Sequence, residues 1–139
     1  MGEDQQGVSE RDREFIARAV AQATRDLAFT MPVRWIADRH SVRAPTWRYY
    51  FDYTAVKERS KYANGVPHGA EVPYFLNTVD IFEGTKDIAT AEDRELARRT
   101  SDYVFDFART GTPAASGSPA WANHQTRQDR TLIFADAIT

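Results

Sequence analysis

Three histidines are the residues of this chain best suited to proton transfer near neutral pH, and each has different neighbours. His68 lies in Asn64-Gly65-Val66-Pro67-His68-Gly69-Ala70-Glu71-Val72-Pro73-Tyr74-Phe75, with turn-forming residues on both sides and Glu71 three residues on. Gly65 and Gly69 allow the tight backbone path that would carry an imidazole to the carboxyl end of a sheet. Two readings stand for His68. It is either a loop histidine bonded to nearby backbone or a general base that takes and returns a proton. His40 falls at the expected C-terminus of a helix, where an imidazolium is favourable. His124 lies in a polar stretch and reads as solvated. The three are dispersed, with no carboxylate–histidine spacing that resembles a ligand set, so no metal and no cofactor are expected. The absence of cysteine excludes disulfides, thiolate metal sites and a cysteine nucleophile.

The elements that must position His68 can be read from periodicity. Residues 1–8 read as a flexible lead-in. Ser9 and Asp12 resemble a capping box, and Phe15, Ile16, Ala19, Val20, Ala23 and Leu27 recur at helical spacing, which predicts a helix over 9–27. Thr30 and Pro32 read as the start of a second helix over 31–39, with Val33, Ile36 and Ala37 on its buried face. The run 46–53, Thr-Trp-Arg-Tyr-Tyr-Phe-Asp-Tyr, predicts a strand. It places Trp47, Tyr49, Phe51 and Tyr53 on one face and Arg48, Tyr50 and Asp52 on the other. A strand so aromatic wants cover on both sides. Residues 70–76 suggest a short helical turn, and 77–89 a loop. Thr90 and Asp93 open a helix over 91–110, whose stripe runs from Leu96 to Ala108 and which Gly111 stops. Trp121 is expected to anchor the Pro/Gly/Ser-rich connector before it, and 131–136 reads as a second strand.

At 139 residues, with 42% hydrophobic and 27% charged residues, the chain has the means for one soluble core. A net charge of −2 offers no basic field for nucleic acid or an anionic membrane surface. No apolar run approaches the roughly 18 residues of a membrane span. The acidic, polar start is unlike a signal peptide, which tilts toward the cytoplasm and leaves the compartment open. Two strands, however, do not make an independent α/β sheet, and their open edges invite pairing with another chain. The pattern therefore reads as an incomplete sheet flanked by helices, part of a larger α/β protein.

Several of these segments together resemble the C-terminal part of type-B carboxylesterases, the family of para-nitrobenzyl esterases, carboxylesterases and cholinesterases. They are 47–53, then Gly65-Val66-Pro67-His68-Gly69-Ala70-Glu71, then Phe105-Asp106-Phe107-Ala108-Arg109-Thr110-Gly111-Thr112-Pro113, then Pro119-Ala120-Trp121. The resemblance spans residues 28 to 136 and implies that 9–139 is a C-terminal segment of an α/β-hydrolase domain. It implies a triad in the order Ser, acid, His, with His68 as the histidine. Glu71 matches the motif glutamate, and the role implied for it is support of the loop through backbone donors, with Gly65 and Gly69 shaping its path. The partner implied for a complete enzyme is a small-molecule carboxylic ester.

The order of the triad sets a test within the sequence. The serines before His68 are Ser9, Ser41 and Ser60, none in a Gly-x-Ser-x-Gly elbow, and no glycine-rich segment offers an oxyanion hole. Asp26, Asp38 and Asp52 do not match the acid motif. The expectation is therefore a histidine-bearing part of a serine carboxylic ester hydrolase, inactive by itself and prone to self-association or to pairing with the remainder of the fold. The alternative is a non-catalytic interaction module, or a truncated remnant of the same fold. Trp47, Tyr74 and Phe75 could border a pocket, and core packing explains them equally well.

Overall fold

The computed structural model describes residues 9–128 and 130–139. The lead-in assigned to residues 1–8 lies outside the described residues. Helix α1 spans Glu10–Arg25, and its first turn is closed by the Asp12 amide donating to Ser9 Oγ at 3.2 Å. The chain then passes through a π-helical turn, Asp26–Thr30, directly into α2, Met31–Ser41. This corrects the boundaries 9–27 and 31–39. Thr30 is helical (φ −61°, ψ −49°) and makes no side-chain cap, so the two helices form one continuous rod. The widened turn has a steric reason. Pro32 cannot donate to residue 28 and its ring would press on that carbonyl, and the turn opens until Met31 N donates to Asp26 O.

The sheet has two parallel strands, β1 (Arg48–Phe51) and β2 (Thr131–Phe134), paired in register from Arg48 with Thr131 to Phe51 with Phe134. Both ladders are shorter than the 46–53 and 131–136 of the sequence pattern. Four residues of β2 face β1; beyond them single bonds continue, Asp52 N to Phe134 O (2.7 Å) and His124 N to Thr46 O (2.7 Å). After β2 the chain folds back, and Ile133 and Thr139 exchange backbone hydrogen bonds of 2.7 and 3.1 Å along the outer edge. A parallel pair needs a long crossover. Here it holds a short helix α3 (Val72–Phe75) and the long α4 (Ala91–Thr110).

Helix α4 has the bounds its sequence signals give. Thr90 and Asp93 form a reciprocal capping box, and Gly111 ends the helix in the left-handed region at φ 78°. Its Leu96, Ala97, Thr100 and Tyr103 are buried against Tyr53, Tyr74, Leu132, Phe134 and Ile138. Tyr49 and Phe51 of β1 meet the rings of Phe75, Tyr74, Trp121 and Phe134 on this side. Trp121 pins the connector as expected, its indole N–H donating to Arg48 O at 2.8 Å. Tyr74 and Phe75 thus belong to the core; Trp47 packs edge-on against Phe107 and also borders the cleft described below.

The helical rod is different. No residue of α1 is buried, and in α2 only Ala37 is. Phe15, Ile16, Val20, Leu27, Val33 and Ile36, read as a core stripe, are exposed. The apolar periodicity is real, but none of the described residues buries it.

Candidate active site

His68 sits at the end of an irregular path between β1 and α3. Gly65 (φ 131°) and Gly69 (φ 83°) both hold conformations that a side chain would strain. Two turns frame the histidine, Gly65 N donating to Tyr62 O at 3.1 Å and Ala70 N donating to Pro67 O at 3.2 Å. The imidazole is exposed and stacks on Phe29 of the π-turn, with ring centroids 5.1 Å apart and planes inclined by 24°. Among the described residues no hydrogen bond reaches either ring nitrogen. The backbone-bonded reading of His68 therefore has no contact to support it.

The stacked pair lines a cleft of about 1110 Å³ between the helical rod and the second face of β1. Arg48 and Tyr50 form its floor, Val33 and Ile36 part of its wall, and His68 and Glu71 its loop side. Arg25 crosses one end, its guanidinium 6.0 Å from the Tyr50 ring centre. Glu71 makes no side-chain hydrogen bond among the described residues, so the support of backbone donors drawn for it is not present; its main-chain oxygen instead accepts from Tyr74 N and Phe75 N at 3.0 Å. Its charge faces β1. Burial, and behind it the Glu71 charge, push the Tyr49 hydroxyl above its usual range.

Two further polar centres carry the frame. Asp93, fully buried, accepts from Thr90 N and Oγ1 (2.7 Å each), Tyr53 Oη (2.8 Å) and Val56 N (3.1 Å), with Tyr74 Oη at 3.4 Å. Burial alone would raise its carboxyl pKa, but the bonds from Thr90, Tyr53 and Val56 outweigh it and hold the group below the ordinary carboxylate range. Burial, then the same carboxylate, drives the Tyr53 hydroxyl far up; Tyr74 follows for the same reasons. The sequence marks Asp93 as a cap and gives no sign of its long-range partners. His124 is the second centre and a correction: it is 2% exposed, its Nε2 lies 2.8 Å from Asp38 Oδ1, and its Nδ1 is buried without a partner among the described residues. It ties α2 to the segment after α4. His40, at the helix end as expected, places Nδ1 2.8 Å from Thr46 Oγ1. Among the described residues no group of three or more His, Cys, Asp or Glu side chains is arranged to hold a metal ion, and no helix is long and apolar enough to cross a membrane.

Comparison with known proteins decides the lineage. The pattern of the family described as "Carboxylesterase family" matches residues 4–137, nearly the whole sequence. The chain belongs to the carboxylesterase family. Its relatives include the para-nitrobenzyl esterase of Bacillus subtilis (strain 168), 30% identical over 115 residues, which cover 82% of this chain and 23% of that protein. Rabbit (Oryctolagus cuniculus) liver carboxylesterase 1 is 31% identical over 114 residues, 79% of this chain and 19% of the relative. A solved PNB esterase structure superposes with a TM-score of 0.73 at 28% identity, covering 85% of this chain and 24% of that one. The two-stranded sheet and its helices are thus a segment of the α/β-hydrolase fold. This carboxylesterase chain spans between 17% and 23% of the length of the first curated relatives it matches.

Proposed function

We propose that this segment supplies the general base of a serine carboxylic ester hydrolase, and that His68 is that base. The observation that carries the reading is the placement of an imidazole, with neither ring nitrogen hydrogen-bonded among the described residues, on the loop that matches the family's histidine motif, at the edge of the large cleft. In a triad, one nitrogen takes the proton of a serine hydroxyl as it attacks the ester carbonyl. The imidazolium then protonates the leaving alkoxide, and the neutral ring later activates water for deacylation. The other nitrogen donates to a carboxylate that holds the tautomer. The substrate class is a small carboxylic ester, in keeping with the names of the relatives.

The 139 residues contain no Gly-x-Ser-x-Gly elbow and no glycine-rich oxyanion segment. A general base without nucleophile and oxyanion donors gains little over water. The isolated chain is therefore inactive, and its uncovered rod, its cleft and the unpaired edge of β1 are the surfaces that the rest of the fold covers. p-Nitrophenyl acetate turnover by the isolated chain tests this. The expected rate is the buffer rate, unchanged by His68→Ala. Rapid hydrolysis that a serine-directed fluorophosphonate abolishes would refute it.

A further inference from the structure

A triad base needs its ring plane held while one nitrogen stays open to the serine and the other to the acid, and the structure offers a contact that can do this. Hydrogen bonds to imidazole lie in the ring plane, so a contact on its face orients the ring without occupying a nitrogen. Phe29 occupies that face, at 5.1 Å and 24°. Among the described residues His68 makes no side-chain hydrogen bond, and Phe29 is its ring contact, on a loop that is irregular and an imidazole that is exposed. We infer that Phe29 is a positioning residue: its ring is a stacking platform that fixes the imidazole plane of His68 and leaves Nδ1 and Nε2 available.

The backbone around Phe29 supports a built arrangement. Phe29 lies inside the π-helical turn Asp26–Thr30. In a regular helix each residue turns by roughly 100°, so the extra residue rotates everything before it by about that angle relative to α2. That rotation lets two demands be met by one rod. α2 keeps Ala37 buried and Asp38 on His124, while the turn presents Phe29 to His68. The start of the turn is also held to the loop side. Arg25 reaches over Tyr50, and its Nη1 stands 3.9 Å from where a Cβ on Gly65 would be. A phenyl ring that merely filled the cleft would not need the face-parallel geometry, and an aliphatic side chain would serve as well.

This inference rests on the reading of His68 as the base, and its test can fail independently of that reading. The probe is the ring of His68 in the folded 139-residue chain, followed by ¹H–¹³C NMR of its Hδ2 and Hε1 resonances and their relaxation. Phe29→Met keeps apolar volume and removes the ring; Phe29→Tyr keeps the ring. In the wild type the His68 resonances are expected to be displaced upfield by the stacked ring. Phe29→Met is expected to remove that displacement and increase fast ring motion, with far-UV circular dichroism unchanged, and Phe29→Tyr to retain both signatures. Unchanged His68 signals in Phe29→Met would overturn the inference, as would equal loss in both variants, which points to packing alone. A failure of His68→Ala to affect ester hydrolysis by the assembled enzyme would remove the base and leave these resonances as they are.

Discussion

At the scale of single residues, the chain places its strongest polar commitments away from His68. Asp93 closes the first turn of α4 and at the same time receives the Tyr53 hydroxyl and the Val56 amide. Replacing it with Ala strands several buried donors, each worth about 1–3 kcal/mol when left unsatisfied. Urea unfolding of Asp93→Ala is expected to show a loss of about 3–5 kcal/mol, among the largest for a single change in this chain. The carboxyl is held below its ordinary pKa in the folded state. Such a group stabilises the fold fully above its unfolded-state value, about 3.9, and the contribution falls away as pH drops through the folded value. Asp93→Asn should therefore flatten the acid limb of a stability–pH curve, while an unchanged limb would mean that other carboxylates govern it.

These partners explain why part of the site frame was illegible from sequence. Thr90 and Asp93 are three apart and read at once as a cap. Tyr53 and Val56 lie 40 and 37 residues from Asp93, and no local spacing announces them. His124 is opaque for the same reason: its polar neighbours suggest solvent, whereas its side-chain partner, Asp38, lies 86 residues away. The backbone path of the His68 loop is legible because Gly65 and Gly69, its neighbours in sequence, set it.

At the scale of elements, α4 shows local signals agreeing with the fold. Cap, stripe and stop are all within the helix, so its bounds could be read directly. Gly111 sits at φ 78° with open space around it, so Gly111→Ala should cost about 1–2 kcal/mol through backbone strain alone. Chemical denaturation measures that, and a neutral result would mean the cap relaxes. The rod of α1 and α2 is the opposite case. Thr30 and Pro32 carry a boundary signature, yet the π-turn absorbs the proline and the helix continues. The strand pattern over-reached too, because ladder length depends on the partner, and β2 supplies only four residues.

Polar contacts that join the rod to the body include His124 with Asp38 and His40 with Thr46. Removing His124 leaves a cavity and frees Asp38. His124→Ala should lower stability by about 1–3 kcal/mol. The loss should appear first as faster amide hydrogen exchange across α2, with α4 nearly unaffected. Uniformly faster exchange in both helices would show that the rod and body unfold as one unit.

At the scale of the whole molecule, this segment of the fold has two kinds of surface. The body around Tyr53, Tyr103 and Phe134 is a closed apolar core. The rod displays Phe15, Val20 and Leu27 at 59–70% exposure, and contiguous apolar surface of this sort marks an interface. Sedimentation velocity on the isolated chain is expected to show concentration-dependent association, and the double change Phe15→Glu with Leu27→Glu to reverse it. A monomer at every concentration would contradict the reading of the rod as an uncovered interface.

The most direct test of the central claim is ester hydrolysis by an active enzyme assembled from this chain and a serine-bearing remainder of the carboxylesterase fold. With p-nitrophenyl acetate as substrate, His68→Ala should lower kcat by about 10⁴-fold or more while the assembly stays intact. Turnover that survives the substitution within a few-fold would show that His68 is not the base.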